Sequence, residues 1–206
     1  MKFIAGMIVG ILLLGALGFA AIYLGLINMA ATRKPMAIEE EIGEMAFENS
    51  MRKRAAQVNN PHKDDPGARE EGLDHYMENC LVCHGAPGVD KGEIGKGLNP
   101  PAPELEESVE EFTDAELFWT VKNGIRMTGM PAFAPTHSDE ELWNVVTFMR
   151  HLPELSAAER ERLIAFTERE EAHHHDDVPA AETQTQGQPK SKPHTHEHGE
   201  HPHDDD

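Results

Sequence analysis

Cys80-Leu81-Val82-Cys83-His84 is the stretch whose reading decides the fold. Two thiols three residues apart lie about one helical turn from each other, and an imidazole follows directly. Cys-x-x-Cys-His is the attachment pattern of c-type haem, in which the thiols form thioethers to the two vinyl groups of one porphyrin and the histidine faces the iron from the same side. A thioredoxin-like redox pair would want a βαβ setting, and a zinc site would want a second Cys/His pair at finger-like spacing. The sequence offers neither. Cys80 and Cys83 are the chain's two cysteines, and a disulfide between them would close only a very small ring.

A haem so attached calls for a second iron ligand downstream, usually a methionine in an electron carrier. Gly124-Ile125-Arg126-Met127-Thr128-Gly129-Met130-Pro131-Ala132-Phe133 supplies two. Gly129 and Pro131 bend the chain around Met130 and aim one side chain, so Met130 is the expected ligand and Met127 the fallback. With His84 and Met130 both bound, the iron would be six-coordinate and would only pass single electrons. An open position instead would suit a haem-based sensor.

Around this centre the patterning is helical. Residues from about Glu70 lead into the cysteine pair. Thr113-x-x-Glu116 is a capping box that opens Leu117-Phe118-Trp119-Thr120-Val121 and stops at Asn123-Gly124. Ser138-x-x-Glu141 opens a second helix with Leu142, Trp143, Val146, Met149 and Leu152 before Pro153, and Ser156-x-x-Glu159 opens a third over 156–171. Gly- and Pro-rich loops lie between them, and no strand alternation is visible. The fold class is all-α.

Upstream, Phe3 to Ile27 is a run of apolar residues and glycine, preceded by Lys2 and followed by Arg33-Lys34. As a helix it would span roughly 37 Å, enough for a hydrocarbon core of about 30 Å. Residues 1–34 are therefore expected to be a membrane anchor. A cleaved signal peptide is the rival reading, but the apolar run outlasts a usual h-region. Residues 35–69 form a connector, with Ile38, Ile42 and Met45 at helical spacing and then turns at Asn59-Asn60-Pro61 and Asp64-Asp65-Pro66-Gly67. More basic residues follow the apolar run than precede it, which by the positive-inside rule would favour a cytoplasmic C-terminal side.

Residues 172–206 are His-, acid- and Pro-rich with almost nothing apolar, a composition expected to stay disordered. They carry His173, His174, His175, His194, His196, His198, His201 and His203, a speculative site for Cu(II), Zn(II) or Ni(II) through shifting sets of ligands. The net charge of −19 divides unevenly: eight basic against seven acidic residues in 1–69, five against 17 in 70–155, and five against 13 in 156–206. So acidic a chain lacks the basic footprint that nucleic acid binding requires. The acidic module instead favours redox partners with a basic docking patch. Glu104, Glu106, Glu107, Glu110 and Glu111 are its densest run, with a solvated loop as their plainest use.

Residues 70–155 resemble a class I monohaem c-type cytochrome in its small-domain form, which includes the subunit III type of cbb3 oxidases. Cys80, Cys83 and His84 match the attachment motif, and Gly129-Met130-Pro131-Ala132-Phe133 matches the distal-Met loop. Gly72 and Tyr76 match the Gly-x-x-x-aromatic of the family's first helix, which crosses the last helix at an aromatic, here Phe148 or Trp143. Leu98-Asn99-Pro100-Pro101-Ala102-Pro103 matches the loop whose proline carbonyl orients the ligating histidine. The resemblance implies one covalent haem c and an electron carrier rather than an enzyme. It also implies haem attachment on the export side of a bacterial inner membrane, which outweighs the basic count and sets the domain on the periplasmic face. Trp119, Ile125, Phe133, Trp143 and Val146 would form the apolar surroundings of the iron. The alternative function is a haem-based sensor or a periplasmic metal-handling protein using the His-rich tail.

Overall fold

The computed structural model describes residues 2–176, and among them the fold is all-α, with one isolated bridge between Ala86 and Val89. The first helix, α1 (Lys2–Tyr23), is exposed along its length and is long and apolar enough to cross a membrane. It stops short of the end of the apolar run, in a turn where Gly25 takes φ 68°, a left-handed conformation that glycine adopts at little cost. At about 1.5 Å per residue its 22 residues still match a hydrocarbon core of about 30 Å.

Helix α2 (Ala37–Arg54) opens with Glu39 and Glu40 and closes with Arg52, Lys53 and Arg54, the order of charge that the helix dipole favours. Helix α3 (Pro66–Asn79) starts from an Asp65 N-cap whose side chain accepts the Gly67 N–H, with Pro66 at its first position. After one residue it gives way to the single turn α4 (Leu81–His84). Two short helices follow, α5 (Glu93–Lys96) and α6 (Leu105–Glu111). The latter overturns the reading of the glutamate run as a loop: Glu106, Glu107, Glu110 and Glu111 lie on a helix that buries Val109. Helices α7 (Asp114–Asn123) and α8 (Asp139–His151) open with complete capping boxes at Thr113/Glu116 and Ser138/Glu141. A 3-10 turn at Leu152–Glu154 leads to α9 (Ala157–Asp176), whose start is capped by reciprocal bonds between Ser156 and Glu159.

Helices α3 and α8 form the frame. At their crossing Gly72 lies against the Asn144 carbonyl and the Phe148 Cβ, and four residues on the Tyr76 ring meets Phe148 at 5.2 Å. Phe148, rather than Trp143, is the aromatic at this crossing. Trp143 stacks flat on Phe118 of α7, with ring centroids 4.0 Å apart. Every residue of α8 from Leu142 to Met149 is buried, so this helix is the spine that the others cover. Arg150 ties its end to α7 by an ion pair with Asp114 at 2.6 Å and a bond to the Phe112 carbonyl. Helix α9 closes the far side by burying Leu163 completely, while its Arg162 reaches Glu70 and Asp74 on α3.

The second half of the connector is part of this fold rather than a free linker. Met51 is 1% exposed and accepts a bond from the Thr120 hydroxyl of α7. The Asn60 amide donates to Thr147 Oγ1 at 3.0 Å, within α8. His173, His174 and His175 fall in the last turns of α9, whereas His194, His196, His198, His201 and His203 lie outside the described residues.

Candidate functional site

The backbone of Cys80 and the turn α4 place both thiols and His84 within about one helical turn, with His84 N–H bonded to the Cys80 carbonyl. Cys80 is buried, Cys83 half-buried and His84 buried. Burial pushes the Cys80 thiol up to about 12 and raises Cys83 as well. That is opposite to the depressed pKa of a reactive thiol pair.

His84 Nδ1 lies 3.0 Å from the Pro103 carbonyl. Because a carbonyl only accepts, Nδ1 is the protonated nitrogen and Nε2 keeps its lone pair. Burial lowers the pKa of His84, with the Pro103 bond opposing, and the neutral ring is the form that binds metal. Of the three prolines in the loop, Pro103 is the one that holds the histidine. Lys91, which no motif singles out, fixes that loop by donating to the Ala102 carbonyl at 2.6 Å and pairing with Glu104 at 2.7 Å. From the other side Tyr76 donates its hydroxyl to the Gly85 carbonyl at 2.6 Å, and burial raises its pKa well above the ordinary value, so it remains a donor.

The two methionines differ. Met127 is 87% exposed at φ 63°, whereas Met130 is partly buried and packs against the core. Its loop is clamped: Ile125 N–H bonds the Met130 carbonyl, Thr128 Oγ1 accepts the Met130 N–H, and Phe133 N–H bonds Val121 of α7. Gly124, at φ 64°, admits this return, because a Cβ there would lie 2.5 Å from the Pro131 carbonyl carbon. Gly129 faces Leu98 so closely that a Cβ would come within 2.4 Å of Leu98 Cδ2. The loop that orients His84 and the loop that carries Met130 are therefore in direct contact. Of the expected apolar surroundings, Trp143 and Val146 are buried, and Trp119, Ile125 and Phe133 are half-buried. His137, expected to be an exposed loop residue, is half-buried with its ring on His75 and Phe133.

These residues fit a covalently held haem. The donor set is two neutral thiols, an imidazole with one nitrogen free, and a thioether on a neighbouring loop. Among the described residues no cluster of three His, Cys, Asp or Glu side chains offers a separate metal site.

The family comparison agrees. Residues 67–149 match the family model of cytochrome c oxidase, cbb3-type, subunit III. The quinohemoprotein alcohol dehydrogenase of Comamonas testosteroni is 28% identical over 138 residues, which are 66% of this chain and 18% of that relative. The chain thus spans less than a fifth of that protein's length. Among solved structures, cytochrome CL of Methylophaga aminisulfidivorans aligns with 60% of this chain and 70% of its own at 18% identity, with a TM-score of 0.35.

Proposed function

From the premise that residues 67–149 are a class I c-type cytochrome domain with covalent haem c, we propose that the chain is a membrane-anchored carrier of single electrons between respiratory or dehydrogenase partners. The observation that carries the reading is the 3.0 Å contact of His84 Nδ1 with the Pro103 carbonyl, which leaves Nε2 as the ligating atom beside the two thiols.

When bound, the haem supplies an iron that accepts and releases one electron. Cys80 and Cys83 hold the porphyrin by thioethers, so the group is not lost when charge changes. His84 Nε2 and Met130 sulfur would hold the iron, a donor pair that would favour the reduced state and leave no position for substrate. The chain is thus a carrier rather than a catalyst. Trp143, Val146 and Phe133 exclude water from the site and raise the potential in the same direction. Helix α1 holds the domain on the side of the membrane where haem is attached. The acidic domain, with 17 carboxylates against five basic side chains in 70–155, favours a partner with a basic docking patch.

Optical spectroscopy of the oxidised protein tests the ligation. The weak near-infrared band from Met sulfur to Fe(III) is expected in the native chain and in Met127→Ala, and is expected to vanish in Met130→Ala, whose reduced form should gain rapid CO binding. A native protein without the band and with rapid CO binding would overturn the carrier reading in favour of sensing.

A further inference from the structure

We propose that α2 joins two copies of this chain in parallel, through a seam made by Ile38, Ile42, Met45 and Asn49. The helix meets its own haem domain on one side, where Met51 is buried and Phe47 half-buried. At 100° per residue, Ile38, Ile42 and Met45 fall together on roughly the opposite side. They are 63%, 59% and 56% exposed, so this second apolar face lacks a cover among the described residues.

The spacing identifies the cover. Steps of four, three and four residues from Ile38 to Asn49 are those of a narrow two-stranded seam, with Ile38 and Met45 at d positions and Ile42 and Asn49 at a positions. A single asparagine at an a position fixes register and strand number in parallel pairs. The flanks agree: in a parallel pair Glu48 at a g position faces Lys53 at the following e position of the other copy, and Glu41 faces Ala46. An antiparallel pair would set glutamates at g against one another.

Two heptads are short for an isolated coiled coil. Here the proposal rests on reading α1 as a membrane anchor, because two chains inserted the same way must meet in parallel and at high effective concentration. Gly6 and Gly10 of α1 stand one turn apart with open space where a side chain would be, a spacing at which membrane helices approach closely. They support the pairing, and the α2 seam carries it.

The test uses the full-length holoprotein in membranes, where the native cysteines are held as thioethers. Ile42→Cys is compared with Glu40→Cys, which lies on the other side of α2, by catalysed oxidation and haem-stained gels. A haem-bearing species of twice the chain mass is expected several-fold more strongly from Ile42→Cys than from Glu40→Cys. Ile42→Glu, a change at an exposed position, should convert detergent-extracted dimer to monomer with an unchanged optical spectrum. Equal cross-linking of the two cysteine variants in membranes overturns the seam and leaves the electron-carrier reading intact. So does an adduct of another mass, which would mean a different subunit. Protection of Ile42→Cys from an impermeant maleimide without cross-linking would assign the face to the bilayer and also overturns it. Recovery of the chain in the soluble fraction overturns the anchor and the proposal together.

Discussion

Gly72→Ala tests the helix crossing that supports the site. In an open helix this change stabilises by about 0.5–1 kcal/mol, because alanine loses less backbone freedom on folding. At Gly72 the added Cβ would lie 2.0 Å from the Asn144 carbonyl oxygen and 2.9 Å from Phe148 Cβ. The carbonyl belongs to the backbone of α8 and cannot rotate aside, so α3 and α8 must separate by about 1 Å or more to restore ordinary contact. Overpacking of this kind costs about 1–3 kcal/mol, and occasionally more. Set against the propensity gain, a net loss of about 1–2 kcal/mol remains, which lowers Tm by roughly 5–15 °C in a domain of this size. Thermal unfolding of the oxidised holoprotein, followed by far-ultraviolet circular dichroism and by the Soret band, measures it. Gly43→Ala in α2 is the control, since nothing lies within 4 Å of its Cβ position, and it should not lower Tm. A Gly72→Ala protein as stable as the native one would refute the close approach of α3 and α8.

Three further outcomes follow from separate parts of the molecule. Met51→Ala removes a fully buried side chain and should cost about 2–5 kcal/mol of connector docking, read as faster protease cleavage between Arg52 and Lys63 with the optical spectrum unchanged. Glu159 is held at about 2: burial opposes its charge, but the Ser156 hydroxyl and N–H and His151 outweigh it. Its folded pKa lies below the ordinary 4.5, so the unfolded chain binds more protons, and stability present above pH 4.5 is lost as pH falls toward 2; Glu159→Gln should flatten that acid limb of a pH–Tm profile. Electron transfer to a basic redox partner should slow as ionic strength rises from about 0.01 to 0.15 M, since the Debye length shrinks from about 30 to 8 Å, and a salt-independent rate would remove the domain's acidity from docking.

What was legible in the sequence is what is local in the chain. The attachment motif occupies five consecutive residues, and the boxes at Thr113/Glu116, Ser138/Glu141 and Ser156/Glu159 each act over one turn, so residue type and spacing carry the geometry. The missed features depend on distant partners. The choice of Pro103 among three prolines follows from how Lys91 and Glu104 pin the loop. Phe148 prevails over Trp143 because Gly72 lets the α3 and α8 backbones touch one turn away from Tyr76. In α6, Val109 anchors a segment whose four glutamates otherwise describe solvent. Met51 gave no sign of its docking, because the apolar spacing of α2 is dominated by Ile38, Ile42 and Met45 on its other side.

That docking bears on how the domain moves. As a free chain, the 35 residues of 35–69 could extend about 115 Å and let the haem domain roam well away from the membrane. Met51 on α7 and Asn60 on α8 instead fold the connector back onto the domain it was expected to release. The remaining slack lies between Tyr23, where α1 ends, and Ala37, where α2 begins. Even that stretch is held, since the Asn99 amide donates to the Ala31 carbonyl at 2.9 Å and to the Arg33 carbonyl at 2.7 Å. Asn99 belongs to the loop that ends in Pro103 and orients His84. The free leash thus shrinks to a few residues after α1, a reach of roughly 25 Å at about 3.5 Å per residue. With α1 read as a membrane anchor, a domain so tethered would meet partners that are themselves in or at the membrane, and its electron exchange should then depend on their lateral encounter more than on diffusion away from the surface.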